Sequence, residues 1–231
     1  RHPVNPNFRL KAILSLHTEE GSGSGETWKD WPATLIDLSA SGAHVHTSMA
    51  AMTFPEARCR LKLSLGTFKL EILGTVARFI CDTRAGVCGV QFDFGNEGVE
   101  KSYFRVLEPV VIGNSIVSVP AEATADPAGR HLEQYAGKAS ARLSVWRAAA
   151  GGPVVGIEFR MGRYTAEAHR PPDGDPAVRP ALTIKAADEA QVPLTPSQVA
   201  EARWQFSLIV SNLPPAIPTD VQRFLLPLAT G

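Results

Sequence analysis

The segment Asp37-Leu38-Ser39-Ala40-Ser41-Gly42 places a carboxylate, a hydroxyl and a glycine at the spacing D-x-S-x-x-G. The Asp37 carboxylate suits guanine, whose N1–H and exocyclic amine are donors, and in an extended backbone the Ser39 hydroxyl lies on the same side. Gly42 permits a backbone conformation or a close approach that a Cβ would obstruct. The spacing indicates a guanine-binding corner. The same residues also serve ordinary turns, in which Asp and Ser side chains bond nearby backbone amides.

Other residue patterns give weaker support for a functional site. His44 and His46 form an H-x-H pair on one strand face, but a metal site needs a third ligand, so we predict solvent-facing histidines. The Gly-Ser run at 21–25 lacks the Lys and Ser/Thr of a phosphate-binding loop and is predicted to be a linker. Because no nucleophile elbow, zinc-protease motif or supported Cys–His pair is present, we expect no enzymatic activity and no cofactor.

Composition excludes several classes of partner. The 231 residues carry a formal net charge of zero, which argues against a binder of nucleic-acid polymers or anionic membranes. Three cysteines without CxxC spacing favour a reducing compartment, so we expect a cytoplasmic protein. No apolar run reaches membrane-spanning length. Because the sequence starts at Arg1 rather than Met, we expect residues upstream, and membrane association only through them or through a partner.

Short strands dominate the first half of the chain. Arg58–Leu65 alternates strictly, with Cys59, Leu61, Leu63 and Leu65 predicted to face inward. About six such strands with turn signals between them, over 8–94, predict a small antiparallel barrel or sandwich. A bulge or bend is expected at Gly74. A short helix or ordered arm at 98–107 would cover the end of this domain, which we place at 1–108.

The second half carries no specific motif. We predict a linker over 109–129, because it is rich in Pro, Ala and Gly, and a mostly β domain over 130–231. Its strands are expected at 138–147, 154–161, 164–169 and 181–186. A capping box at Thr195-Pro196-Ser197-Gln198 predicts a late helix ending near Ser211. A weak echo between 155–159 and 88–92 raises one alternative for this domain, a degenerate duplicate of the barrel.

The order of motifs in the first half resembles the PilZ family, bacterial receptor domains for the second messenger cyclic di-GMP. The resemblance covers 1–107 and depends on the D-x-S-x-x-G corner followed, in the expected order, by the strand Gly89-Val90-Gln91-Phe92. It implies a six-stranded antiparallel barrel with ligand on its outer face. Asp37 and Ser39 would meet guanine edges, and Gly42 would support the turn.

The family's second motif, R-x-x-x-R, is incomplete in this sequence. With Arg1 as the first arginine, Asn5 occupies the second position; if the first arginine precedes the chain, Val4 does. The family's arginines clamp phosphate and guanine O6/N7, a geometry that Lys does not reproduce. The loss of one such contact would weaken binding by about thirty- to a hundredfold. Substitutes would be found among the cations that point outward near the corner, and the candidates are Arg9, Lys11 and Arg78.

The resemblance implies a non-enzymatic bacterial signalling receptor that binds cyclic di-GMP and passes the signal to a protein partner. The alternative is a degenerate PilZ-like adaptor that binds no nucleotide and acts through contacts with motility, secretion or exopolysaccharide machinery. A third reading is the regulatory part of a larger membrane machine, such as an exopolysaccharide synthase. The proposed ligand set is Arg1, Asn5, Arg9, Asp37, Ser39, Gly42 and Arg78.

Overall fold

A computed structural model of the chain divides into two compact units. The first unit is Arg1–Glu108 and the second unit is Pro109–Gly231. The residues that the structure describes are 1–5, 10–18, 27–81, 85–121, 125, 129–170, 180–187 and 193–230.

The first unit is a closed antiparallel barrel, as predicted. Six strands pair in the ring β3-β2-β5-β6-β7-β4, and β4 returns to β3 to close it. A seventh, two-residue strand, β1, pairs beside β3. The strands are β1 His2–Pro3, β2 Lys11–Thr18, β3 Thr27–Ser39, β4 Gly42–Thr47, β5 Arg58–Leu65, β6 Phe68–Cys81 and β7 Gly86–Asp93.

Alternate residues of each strand point into the barrel and form its core. In β5, Cys59, Leu61 and Leu63 are almost fully buried, while the predicted fourth inward residue, Leu65, is only half-buried because it ends the strand. Side chains from the other strands join this interior, since every second residue of a strand faces the same side of the sheet. The largest fully buried members are Leu14, Leu38, Leu61, Leu63 and Ile72.

Two glycines let strands approach closely. A Cβ at Gly42 would lie 2.3 Å from the carbonyl oxygen of Val90, and one at Gly74 would lie 2.2 Å from that of Gln91. Both clashes are with backbone, which cannot rotate away. The bulge expected at Gly74 is instead at Ala77, between β6 residues whose register with β7 shifts. Gly74 itself is therefore needed for space rather than for a bend.

Helix α1, Glu97–Ser115, is longer than predicted. Asn96 caps its start: the Asn96 side-chain oxygen accepts a hydrogen bond from the Val99 amide at 3.0 Å. The helix continues through Pro109. The prediction of a linker over 109–129 is therefore wrong for its first part. The chain there is helical to Ser115 and then forms strand β8, Val117–Val119. The apolar residues at 106, 107 and 110 are buried at helical spacing, and this outweighs the helix-breaking composition.

The second unit is an antiparallel sheet of six strands in chain order, β8 to β13. Among the described residues its edge strands β8 and β13 do not pair, so the sheet is open and the alternative of a duplicated barrel is wrong. The predicted late helix is confirmed as α2, and a further helix, α3, was not predicted. The elements after β8 are β9 His131–Ala136, β10 Arg142–Arg147, β11 Val154–Met161, β12 Tyr164–His169, β13 Thr183–Ala186, α2 Pro196–Ser211 and α3 Thr219–Ala229.

One face of this sheet forms the core of the second unit. Strand residues such as Val145 and Phe159 are fully buried in a cluster with Phe206 of α2 and Leu225 of α3. The Phe159 and Phe206 rings meet edge to face, with centroids 6.2 Å apart. Within the described part of the chain, no helix is both long and apolar enough to cross a lipid bilayer.

Candidate functional site

The D-x-S-x-x-G corner is the tight turn between β3 and β4. Ser39 and Gly42 are cross-strand partners on either side of it, and the Ser39 hydroxyl donates to the Gly42 carbonyl oxygen at 3.2 Å. Ser39 is therefore engaged in turn chemistry, which was the plainer of the two sequence interpretations. While this bond is made, the hydroxyl can only accept a hydrogen bond from a ligand, because its single O–H is already used.

The N-terminal arm reaches the corner as strand β1. It pairs with β3 through His2 opposite Leu38 and Pro3 opposite Asp37, and the Val4 amide donates to the Ile36 carbonyl at 2.9 Å. Val4 is also buried, which anchors the arm. These contacts place the first residue of the chain beside the corner.

Arg1 and Asp37 are joined by an ion pair. Arg1 Nη1 donates to Asp37 Oδ1 at 2.9 Å, and the two side chains are 49% and 18% exposed. The remaining guanidinium surface of Arg1 is open to solvent, so the pair lies on the outside of the barrel. The structure thus brings together one member of each predicted motif.

His44 is the second partner of Asp37, and sequence reasoning missed this role. Its Nδ1 lies 2.9 Å from Asp37 Oδ2, because the two residues are cross-strand partners on β4 and β3. The His44 ring lies against Gly89, where an added Cβ would come within 3.2 Å of it. His44 does face outward, as predicted, but it faces the candidate site rather than bulk solvent alone.

The charge state of Asp37 follows from these contacts. Partial burial opposes its negative charge, but the hydrogen bonds from Arg1 and His44 outweigh burial and hold the pKa of the carboxyl below its ordinary value. Asp37 is therefore a carboxylate at neutral pH, the form that accepts hydrogen bonds from guanine.

Arg78 shares a cross-strand row with the corner. Asp37 is opposite His44, His44 is opposite Gly89, and Gly89 is opposite Arg78. Arg78 is exposed on β6, and strands are spaced about 4.8 Å apart. Its guanidinium therefore extends from the same outer surface, two strands from His44 across a glycine that leaves the path open.

The remaining predicted residues differ in placement. Asn5 is exposed just after the arm, and Gly42 is buried against β7. Lys11 is exposed at the start of β2, which pairs with β3 only between residues 27 and 33, short of Asp37. Arg9 lies outside the described residues.

Helix α1 supports the corner from below. The Tyr103 hydroxyl donates to the Ser39 carbonyl oxygen at 2.6 Å, and the side chain is fully buried. Burial raises the pKa of this phenol, so it stays protonated and remains a donor. The Tyr103 ring contacts Phe92 edge to face, with centroids 4.9 Å apart. These contacts tie the backbone of the corner to the core.

Metal binding finds no support in this region. Among the described residues, no group of three His, Cys, Asp or Glu side chains is arranged to hold a metal ion. The three cysteines, Cys59, Cys81 and Cys88, are free thiols.

Comparison with known families gives one result. The PilZ domain family model matches residues 5–108, a range that holds strands β2 to β7 and the first part of α1. None of the curated proteins compared with the chain matches it. The resemblance predicted from the corner and from the strand that contains Gly89 is thereby confirmed. Residues 5–108, in the N-terminal half of the chain, are a PilZ domain.

Proposed function

We propose that the barrel is a receptor for cyclic di-GMP that works by binding rather than by catalysis and passes the signal to a protein partner. PilZ domains are a family of cyclic di-GMP receptor and adaptor domains, and the match covers the barrel. The observation that carries the proposal is the ion pair between Arg1 and Asp37 on the outer surface. A guanidinium and a carboxylate are thereby adjacent on this surface, which supports contacts with a guanine and its phosphate.

The two groups have complementary tasks. In this proposal Asp37 accepts from the guanine N1–H and amine. His44 holds carboxylate oxygen Oδ2, and the ligand shares or displaces the bond that Arg1 makes to Oδ1. Arg1 has further N–H donors beyond the one used on Asp37, and these suit phosphate oxygens or guanine O6 and N7. Binding thus rearranges a charged pair that already exists rather than desolvating two isolated charges.

Arg78 is our candidate for the missing second arginine. Asn5 occupies the motif position and cannot form a charge-assisted clamp. Arg78 lies on the row of Asp37 and His44, and no hydrogen bond or ion pair engages its guanidinium among the described residues. It is therefore available to a ligand that crosses Gly89.

A second candidate function, an adaptor that binds no nucleotide, is favoured by one specific observation. Both Asp37 oxygens and the Ser39 hydroxyl are already engaged by neighbours. A ligand must displace or share these bonds, which lowers its net gain. In this case the barrel would act through contacts with motility, secretion or exopolysaccharide machinery in the cytoplasm.

A thermal-shift titration of the full chain separates the two. A receptor gains stability as cyclic di-GMP rises, by an amount set by the ratio of ligand to its dissociation constant. GMP, which supplies one guanine and one phosphate, should give a much smaller shift. No shift at millimolar cyclic di-GMP would overturn the receptor proposal. Co-purification of a machinery component in that case would support the adaptor.

A further inference from the structure

Two arginines are directly opposite each other on neighbouring strands of the second unit. Arg142 on β10 pairs with Arg160 on β11, and both side chains are exposed. They face away from the core, because the residues next to them in sequence, Leu143 and Phe159, are fully buried on the other face. The open face of this sheet therefore presents two guanidiniums side by side.

Such a pair is unfavourable unless something neutralises it. Like charges directly opposite in a sheet destabilise it, and in the described part of the chain neither Arg142 nor Arg160 makes an ion pair or side-chain hydrogen bond. The next cation on the same cross-strand row, by contrast, has a salt-bridge partner. Lys185, which pairs with Thr165 beside Arg160, has Glu167 as its salt-bridge partner. Among the described residues the arginine pair has no such salt-bridge partner, and the carboxylate on its own face, Glu158, is two positions along β11 from Arg160.

A polar cavity lies over these arginines. Its volume is about 550 Å³, within the range of about 300–1,000 Å³ that is typical of small-molecule sites. Each of the described residues that line it carries a hydrogen-bonding side chain: Gln134, Ser140, Arg142, Ser144, Glu158 and Arg160.

The rim of the cavity is held in place by a hairpin turn. Ala139 and Ser140, between β9 and β10, have φ angles of 52° and 57°. These values fit the type I′ turn that matches strand twist, although non-glycine residues seldom adopt them. The turn is closed by the Ala141 amide, which donates to the Lys138 carbonyl at 3.1 Å. Ser140 is thereby fixed at the edge of the cavity.

We propose that Arg142 and Arg160 form an oxyanion-binding site for the phosphate or carboxylate group of a small molecule. Two guanidinium forks offer up to four parallel N–H donors to such a group. Gln134 and Ser144 supply further hydrogen bonds, and Glu158 accepts from a hydroxyl or amine of the same ligand. The site is independent of the barrel and of the function proposed for it.

The test uses the melting temperature of the full chain in low-salt buffer. Pyrophosphate and citrate are the two probes, for phosphate and carboxylate respectively, and chloride at equal ionic strength is the reference. We expect a saturable rise in melting temperature with at least one probe. Replacement of either arginine, Arg142→Gln or Arg160→Gln, should weaken the apparent affinity of the chain for that probe by about tenfold or more. The matched control is Arg223→Gln, an exposed arginine on α3, which should keep the full response.

A second readout distinguishes a binding role from a structural one. Without probe, Arg160→Gln should unfold at the same or a higher temperature than the parent chain, because it relieves repulsion from Arg142. If only pyrophosphate raises the melting temperature, the site binds phosphate groups. If only citrate raises it, the site binds carboxylate groups. Equal responses in the parent and in the Arg142→Gln, Arg160→Gln double variant would overturn the proposal. A probe effect no larger than that of chloride would do the same.

Discussion

Arg1 and Asp37 lie 36 positions apart in sequence, and yet a guanidinium nitrogen of one is 2.9 Å from a carboxylate oxygen of the other. The short pairing of β1 with β3 produces this contact, since it sets Pro3 opposite Asp37. The pair is the point at which the two predicted motifs meet, and it makes the N-terminal arm part of the barrel surface.

Removal of the Tyr103 hydroxyl should loosen the corner. Tyr103→Phe keeps the buried ring but loses the 2.6 Å hydrogen bond to the Ser39 carbonyl, so we expect a loss of about 1 kcal/mol in the free energy of unfolding. Urea titration measures it. Tyr164→Phe is the matched control, because that buried hydroxyl has no partner among the described residues, and its loss should leave stability unchanged or raised. Equal losses in the two variants would contradict the assignment.

A methyl group at Gly42 should be poorly tolerated. Gly42→Ala would drive a Cβ to 2.3 Å from the Val90 carbonyl oxygen, so β4 and β7 must separate at a cost of about 1–3 kcal/mol. In Gly98→Ala the new Cβ meets no backbone atom among the described residues, only the Asn96 Oδ1 that caps α1, at 3.2 Å. That control, in the first turn of α1, should change stability by less than about 1 kcal/mol. Comparable melting temperatures for the two variants would refute the close-approach argument.

The buried cation Arg147 should dominate the electrostatics of the second unit. Its Nε donates to Glu133 at 2.7 Å, its Nη1 to the Gly152 carbonyl at 2.9 Å, and it also pairs with Asp220 of α3. Arg147→Met removes the cation shared by Glu133 and Asp220, leaves Glu133 only the Tyr135 hydroxyl as a side-chain partner among the described residues, and should cost about 1–3 kcal/mol. Denaturant unfolding followed by far-ultraviolet circular dichroism checks this. The exposed Arg223→Met should change stability little, and a similar loss in both would count against the network.

Acid should weaken the corner in a defined pH window. The pKa of Asp37 is lowered in the folded chain, because hydrogen bonds from Arg1 and His44 outweigh its burial. The unfolded chain therefore binds this proton more tightly, and the stability contributed by Asp37 is complete above the ordinary carboxyl value of about 3.9. It is lost as pH falls through the lowered value.

The substitution Asp37→Asn measures the contribution of the Asp37 charge to the free energy of unfolding. The parent chain should be more stable than the variant at pH 6, and the difference, at most about 1 kcal/mol for a partly exposed pair, should shrink towards pH 3. Urea titrations at a series of pH values follow the difference. A gap that stays constant over the whole range would show that Asp37 contributes by packing rather than by charge.

Local patterns in the sequence were sufficient for the barrel and for one helix. Alternation in β5 indicated strands without long-range information, and the capping box at Thr195 located the start of α2, where both reciprocal bonds are present. Helix α1 was underestimated because Pro109 signals a stop, whereas buried apolar residues at helical spacing carry the helix past it.

The candidate site was only partly predictable, because its residues are aligned by register. Bulges at Ile36 and Ala77 shift the pairing of β3 with β4 and of β6 with β7. Each shift moves the following residues by one position, so counting along the strands does not show that Asp37 and Arg78 share a row. The contact of His44 with Asp37 depends on the same shift. Tyr103 reaches Ser39 from a helix 64 positions away, which no local pattern encodes.

Calorimetric titration with cyclic di-GMP of the parent chain, Asp37→Asn and Asp30→Asn tests the receptor proposal most directly. Asp30 is a matched control, since it lies on the same strand, is held by Ser15 and Lys62, and also has a lowered pKa. We expect saturable binding to the parent and to Asp30→Asn, and binding at least about tenfold weaker to Asp37→Asn. Equal affinity in all three proteins, or no heat of binding to the parent, would contradict the account.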